Sequence, residues 1–489
     1  MMKKQAFNPY MPSYEYVPDG EPHIVGDRVY VYGSHDLFNG INFCMGDYVC
    51  YSAPLNNLAD WKYEGVIFRR DQEPNAPKNK MMNGLAAPDM VQGPDGRFYL
   101  YYFMGGTHKI SVAVCDEPAG KYEFYGHVKY EDGTAIGMKG EPFQFDPGVF
   151  LDDDGKLYLY TGFALDNNPL LLLGQKPTKH GPMVFELDTE DMLTVRMGPS
   201  YIGVGGVEEA KTNKEYGTHL FLEASSMRKF DGKYYFIYSS LNSHELCYAV
   251  SDKPTGDFSF GGVLVSNGDI GVNGITDVKH AHQCTGNTHG SLIELNGKYY
   301  VFYHRHSNRK QSSRQACAEE IRFEDGKFYQ AEMTSCGLND GPLKGKGRYP
   351  SYIAFALYGK KGTRFLSMIP MSRGTTPYFT QDGKDRESGP NQFIANFCTD
   401  SIVGFRYFDL RETRRIGITL KGKCKNCVIL VQNKEHGGVI ARIPVRSCTE
   451  RTTFYTNVEG LSEKEELYFR VEGEGRFRFT SFVLEGETK

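Results

Sequence analysis

The stretch "DGKYYFIYSS", residues 231–240, joins a Gly-containing turn to a basic residue and then to an aromatic run that alternates as a strand does. The same shape occurs four more times: "GDRVYVYGSHD" (26–36), "DGRFYLYYF" (95–103), "DGKLYLYTGF" (154–163) and "NGKYYVFYHRH" (296–306). The basic residues Arg28, Arg97, Lys156, Lys233 and Lys298 recur about 60 to 77 residues apart. Each copy is followed by further strand-like runs, such as "YVCYSAP" then "WKYEGVIF", or "LCYAVS" then "FSFGGVLV". A repeat of three or four strands, returning five times, predicts an all-β chain whose residues 1–335 close into a five-bladed β-propeller.

The pattern stops near residue 336. "CGLNDGPLKGKGRYP" (336–350) is rich in Gly, Lys and Pro and reads as a linker. Beyond it, short alternating runs such as "RIGITL", "CVILVQ" and "FRFTSFVLE" predict a β-sandwich over 351–489. The 489-residue length fits two domains.

A formal net charge of −4 gives no reason to expect nucleic acid as partner, and no apolar run approaches the roughly 20 residues that span a bilayer. The 11 scattered cysteines and an N-terminus without an apolar leader predict a cytoplasmic protein with free thiols. Cys424 and Cys427 form a lone C-x-x-C without the second pair that a metal site needs.

In a propeller the inner strands converge on one axis, so polar residues just ahead of each turn share a cavity. Blade one offers Asp19 and Glu21, blade two Asp89, blade three Asp146, blade four Glu223 and blade five His289. Lone acids among apolar neighbours are costly unless paired. Acids in four consecutive blades therefore point to a shared acidic pocket. Such a pocket suits cleavage of a glycosidic bond: one carboxyl stays protonated to serve the leaving oxygen, another is ionised to activate water, and a third raises the pKa of the first. Asp146, as Asp-Pro ahead of a strand, also fits a turn starter. His304 and His306 alternate on one face and, with His289, mimic a zinc trio; hydrogen-bonded neutral histidines are the plainer reading.

Several motifs over residues 8 to 330 resemble glycoside hydrolase family 43, inverting five-bladed propellers acting on arabinoxylan and related polysaccharides. They are "AAPDM" with "DGRFYLYY", "FDPGVFLDDDGKLYLYTG", "LEASSMRKFDGKYYFIYSS" and "THGSLIELNGKYYVFYHRH". The tail, with "TPYFTQDGKD" and "FIANFCTDSIVGFRYFDL", resembles a carbohydrate-binding module of the family 6 type. The resemblance implies Glu223 as general acid, Asp89 as the acid that raises its pKa, and Asp19 as general base. It implies Glu21, Asp146, His289 and Arg314 as substrate-contacting residues, with Arg314 reaching both sugar and acid. It implies no required cofactor, and a structural calcium ion or a water cluster beside His289.

Here the usual Asp-Pro of the base is replaced by Asp19-Gly20-Glu21-Pro22. Spacing to Tyr30, Tyr32 and His35 favours Asp19 as base, while the acid–proline pair favours Glu21. The expected activity is exo-hydrolysis of β-D-xylosyl or α-L-arabinofuranosyl residues from plant oligosaccharides. The rivals are a propeller glycoside phosphorylase, which needs a cationic cluster on the base side, and an inactive sugar-binding protein.

Overall fold

The structure is a computed structural model that describes residues 4–79, 83–165, 172, 174–372, 374–385 and 392–486. Each of the five repeats folds into one antiparallel sheet. Blade one comprises Glu21–Val25, Arg28–Tyr32, Tyr48–Pro54 and Lys62–Phe68; blade two Leu85–Gln92, Phe98–Met104, Ile110–Cys115 and Glu123–His127. Blade three comprises Gly148–Leu151, Leu157–Thr161, Met183–Leu187 and Val195–Tyr201; blade four Phe221–Phe230, Lys233–Ser240, Glu245–Ser251 and Ser259–Ser266. Blade five has three long strands, Ser291–Leu295, Lys298–Ser307 and Lys310–Ile321.

The N-terminal segment covers the open edge of blade five. Tyr10 N–H donates to Ala316 O (3.3 Å), Asn8 Nδ2 donates to Ala318 O (2.9 Å), and Ala318 N–H donates to Asn8 Oδ1 (3.0 Å). Gly20 and Gly290 bridge in parallel, joining blades one and five at the axis.

The aromatic strands are hydrophobic on both faces because each sheet packs against a neighbour on either side. In blade four, Tyr235 and Ile237 enter the core shared with blade five, while Phe236 and Tyr238 enter the core shared with blade three. Buried tyrosines send their hydroxyls to backbone carbonyls of the adjoining blade, as Tyr160 does to Pro254 O (3.0 Å), so the polar end is satisfied.

The C-terminal domain is an all-β sandwich around a separate core that includes Phe397, Phe405, Phe469, Phe479 and Phe482. Two long strands, Arg415–Gln432 and Glu465–Glu485, carry the hydrogen bonding through register shifts and link the domain into one ten-stranded ladder. The segment expected as a linker is shorter than 336–350. Leu343–Lys344 pairs with the strand Ile402–Asp409, and Gly347–Pro350 pairs with the final strand, because Leu343 and Tyr349 reach the sandwich core.

The two domains meet through buried charge. Arg406 Nη2 lies 2.6 Å from Asp269 Oδ2 and stacks over Phe355, with its carbon 3.9 Å from the ring centre. His282 bridges Asp269 (2.7 Å) and Glu435 (3.3 Å), and these hydrogen bonds outweigh burial to push its pKa up to about 9.

Candidate active site

The inner strands present their side chains to the axis in tiers two residues apart, as strand geometry requires. The first tier lies where each strand is entered. There Asp19 (φ 58°), Ala87 (φ 39°), Asp146 (φ 46°) and Ala224 (φ 69°) all adopt left-handed backbone, a conformation costly outside glycine and concentrated at functional positions. Glu223 immediately precedes Ala224, at a register shift in its strand. The second tier holds Glu21, Asp89, Gly148, Ser226 and Ser291, and the third includes His23 and Arg228. Gly148 is glycine because a Cβ there would lie 2.5 Å from Ser225 O of the adjoining blade.

Asp19 is buried, and Arg314 Nη1 lies 2.8 Å from its Oδ1. Burial pushes the Asp19 pKa up, but the guanidinium outweighs it and holds the carboxyl well below the usual carboxylate range. Arg314 is itself clamped by Asp36, with Nε donating to Oδ2 (2.8 Å) and Nη2 to Oδ1 (3.0 Å), and it stacks over Phe43. His304 Nε2 donates to Asn287 O (2.9 Å), so its Nδ1 accepts the Asp19 N–H (3.4 Å). Burial keeps His304 neutral and lowers His306, which also donates to Asn287 O, to about 3. These two histidines are hydrogen-bonded core residues that fix the Asn287 loop.

Glu223 is partly exposed, whereas Asp19 and Asp146 are buried. Burial of its carboxyl, then the negative charges of Asp146 and Asp19, push its pKa up to about 8. Asp146 Oδ2 accepts the Ala224 N–H (3.2 Å) and lies 3.5 Å from His289 Nδ1. Burial alone would lower the His289 pKa; Asp146, Asp19 and Glu21 raise it to about 9 instead, so the ring is cationic at neutral pH. The cavity thus holds an ionised acid on blade one and a protonated acid on blade four, the divergence that acid–base catalysis needs.

Asp89 does not stand where the sequence pattern suggested. Its Oδ1 lies 2.7 Å from His23 Nε2, and its Oδ2 accepts the Val149 N–H (2.9 Å). It sits one tier below Glu223, and the negative charges that raise Glu223 most are Asp146 and Asp19. Counted back from the basic residue of each turn, Asp19, Asp146, Glu223 and His289 stand nine or ten residues away and Asp89 stands eight. That offset was the available signal. Glu21 is also in the second tier, with Oε2 at 2.5 Å from Arg228 Nη2 and 3.1 Å from Ser226 Oγ. Arg314 contacts the Asp19 side of the cavity, not Glu223 directly.

The C-terminal domain braces this rim. Asp385 Oδ1 accepts Phe38 N–H (2.6 Å), Gln381 Oε1 accepts Tyr16 O–H (2.6 Å), and Phe379 O accepts Asn308 N–H (2.9 Å). Phe38 belongs to the loop that carries Asp36 and Phe43. Sequence reasoning missed this brace and Arg228, because partners so distant along the chain leave no spacing pattern.

The model for glycosyl hydrolases family 43 matches residues 17–190. A xylosidase/arabinosidase of Thermoclostridium stercorarium is 43% identical over 486 residues, spanning 99% of each chain. The chain belongs to glycosyl hydrolase family 43. A xylosidase/arabinosidase of Bacteroides ovatus is 30% identical over 315 residues, 60% of this chain and 87% of its own. A solved family 43 β-xylosidase/α-arabinofuranosidase from a compost metagenome, bound to xylotriose in a calcium-free form, superposes with a TM-score of 0.50 at 26% identity. It covers 66% of this chain and 96% of its own. Family 43 chemistry needs no cofactor, and the chain is a glycoside hydrolase.

The calcium expected beside His289 does not fit the residues present. Calcium takes six to eight oxygens. His289 instead faces Asp146 (3.5 Å) and Glu21 (3.9 Å), and Glu21 is already paired with Arg228. Among the described residues, the groups of three close enough to hold an ion are Glu21–His23–Asp89 and His219–Glu245–Cys247, neither of which includes His289. No helix of the described chain is long and apolar enough to cross a membrane.

Proposed function

We propose that the chain removes terminal β-D-xylosyl or α-L-arabinofuranosyl residues from short plant oligosaccharides by hydrolysis with inversion. What supports this reading is that Asp19, held by Arg314 at 2.8 Å, and Glu223, raised by burial and by the charges of Asp146 and Asp19, meet on the inner strands near the propeller axis. Water attacks the anomeric carbon and gives its proton to Asp19. The glycosidic C–O bond breaks as the Glu223 proton passes to the leaving oxygen. Asp146 keeps Glu223 protonated, His289 positions Asp146, and Arg314 keeps Asp19 ionised. Asp19 rather than Glu21 is the base, since Glu21 lies a tier lower and is spent on Arg228. The relatives named xylosidase/arabinosidase support the pentosyl substrate.

A phosphorolytic reaction is disfavoured, because the cation beside the base, Arg314, is already shared by Asp19 and Asp36. All eleven cysteines are free thiols, which suits a reducing cytosol in which imported oligosaccharides are the substrates. The C-terminal domain acts here as a brace for the rim of the site. A panel of nitrophenyl glycosides, with and without phosphate, tests the reading. Release of xylose or arabinose of inverted configuration, unaffected by phosphate, is expected. Phosphate dependence, or activity only on hexosides, would overturn it.

A further inference from the structure

Beneath the reacting tier, the described structure places a guanidinium on the axis. Arg228, five residues along the strand from Glu223, is mostly buried and makes contacts across three blades. Its Nε donates to Leu292 O (3.0 Å) on blade five, its Nη1 to Met227 O (2.7 Å) on its own blade, and its Nη2 to Glu21 Oε2 (2.5 Å) on blade one. Pro22 O lies 3.4 Å from Nη2. Glu21 Oε2 also accepts from Ser226 Oγ (3.1 Å), which is bonded to Ser291 Oγ (2.8 Å).

The other oxygen, Glu21 Oε1, is buried and has no hydrogen-bond partner. His289 Nε2 lies 3.9 Å from it, and the opposite nitrogen of that ring faces Asp146 at 3.5 Å. His289 therefore stands between two carboxylates that compete for it. Asp146 makes the closer contact, and Glu21 is already paired with Arg228. Removing one partner of a buried ion pair leaves an uncompensated charge that is costly unless another partner meets it. Without Arg228, Glu21 would draw the His289 ring down the axis, and Asp146 would lose the partner that holds it under Ala224 and beside Glu223.

We propose that Arg228 is a positioning residue for the acid–base machinery: as a built-in cation it satisfies Glu21, reserves His289 for Asp146, and makes the enzyme independent of a divalent ion on the axis. This rests on Glu223 being the general acid and deepens that reading.

The test is a double-mutant cycle in the full-length chain, read as kcat/KM on aryl xylosides or arabinosides of differing leaving-group pKa, with chelator and with added calcium. Arg228→Gln is expected to lose at least tenfold, more for poor leaving groups that depend on the acid than for good ones. Arg228→Lys, which keeps the charge, should recover most of the loss. Glu21→Gln placed on Arg228→Gln should also restore activity, because the competing carboxylate is gone. Chelator should leave the wild type within twofold.

Besides an unaffected Arg228→Gln, three results would overturn the proposal. One is an Arg228→Gln loss equal for all leaving groups. Another is a double variant as impaired as the single one. The third is wild-type activity that falls on chelation and returns with calcium. If Arg228→Gln does not fold, the Lys variant and the chelation arm decide alone. Glu223→Gln separates the two levels: its full activity would sink the acid assignment, whereas its loss alongside an unaffected Arg228→Gln sinks only this proposal.

Discussion

Two groups of carboxyls share the propeller axis, one tier apart, and they meet opposite fates. In the upper group, Asp19, Asp146 and Glu223 are left partly at odds: Asp19 is ionised by Arg314, while Glu223 is held protonated by burial and by Asp146. In the lower group, Glu21 is paired with the Arg228 guanidinium at 2.5 Å, and Asp89 is held by His23 Nε2 at 2.7 Å and by the backbone N–H of Val149. The residue types are the same, but Glu223 is partly exposed while the other four are buried. What differs is that Asp19, Asp146, Glu21 and Asp89 each have a close partner, Arg314, His289, Arg228 and His23, and Glu223 does not. The lower acids hold blades together, and the upper ones keep a proton that has nowhere to go until substrate arrives. Among the described residues the Glu223 carboxyl has no hydrogen-bond partner, as a proton donor awaiting a glycosidic oxygen should not.

The sharpest way to break this contrast is to remove the proton itself. Glu223→Gln should lower kcat by ~10²–10⁴-fold on substrates with poor leaving groups, measured with unactivated xylo- or arabino-oligosaccharides. The same change should stabilise the fold. A carboxyl whose folded pKa is raised binds more protons native than unfolded, so the wild type loses stability as pH rises from about 4.5 through about 8. The Gln variant escapes that loss, and chemical denaturation at pH 8 should show a gain of about 1–3 kcal/mol.

Asp146→Asn should act through Glu223. With that negative charge gone, the basic limb of the pH–kcat/KM profile should move to lower pH, and kcat/KM at pH 7.5 should fall on the order of tenfold. Asp89→Asn probes the lower tier. Its expected effect is on the fold, about 1–3 kcal/mol in urea unfolding from the weakened His23 and Val149 contacts. The basic limb should stay where it is. If Asp89→Asn moved that limb and Asp146→Asn did not, the two tiers would have been assigned the wrong way round.

The smallest effect belongs to the domain junction. His282, raised to about 9 by its carboxylate partners, contributes stability that is fully present below its unfolded pKa near 6.5 and is lost as pH rises through about 9. His282→Gln should cost about 1 kcal/mol at pH 6 and little at pH 10, with kcat unchanged, as followed by thermal unfolding across that range.

The blades were legible in the sequence because turn chemistry and period-two alternation are local. The pocket followed, since a repeat that closes into a ring brings equivalent positions together. Asp19, Glu223 and His289 could be named on that ground. Asp89, eight residues before the basic residue of its turn rather than nine or ten, stands one tier along the axis from Asp146, and we propose that Asp146 takes the role expected of Asp89. Asp146-Pro147 also looked like a turn starter, and it is one, with its left-handed φ; the structural and chemical roles coincide there. Arg228, the Asp36 clamp on Arg314 and the Asp385 brace depend on contacts between residues hundreds of positions apart, which no local pattern encodes.

The most direct test is the titration of the Glu223 carboxyl itself, followed by carbon NMR of selectively labelled glutamate, with Glu223→Gln assigning the signal. The wild-type carboxyl should titrate near pH 8, at a clearly lower pH in Asp146→Asn, and unchanged in Asp89→Asn. Titration of Glu223 near pH 4.5, or a response to Asp89 in place of Asp146, would contradict the division of the axis into a reacting tier and a structural one.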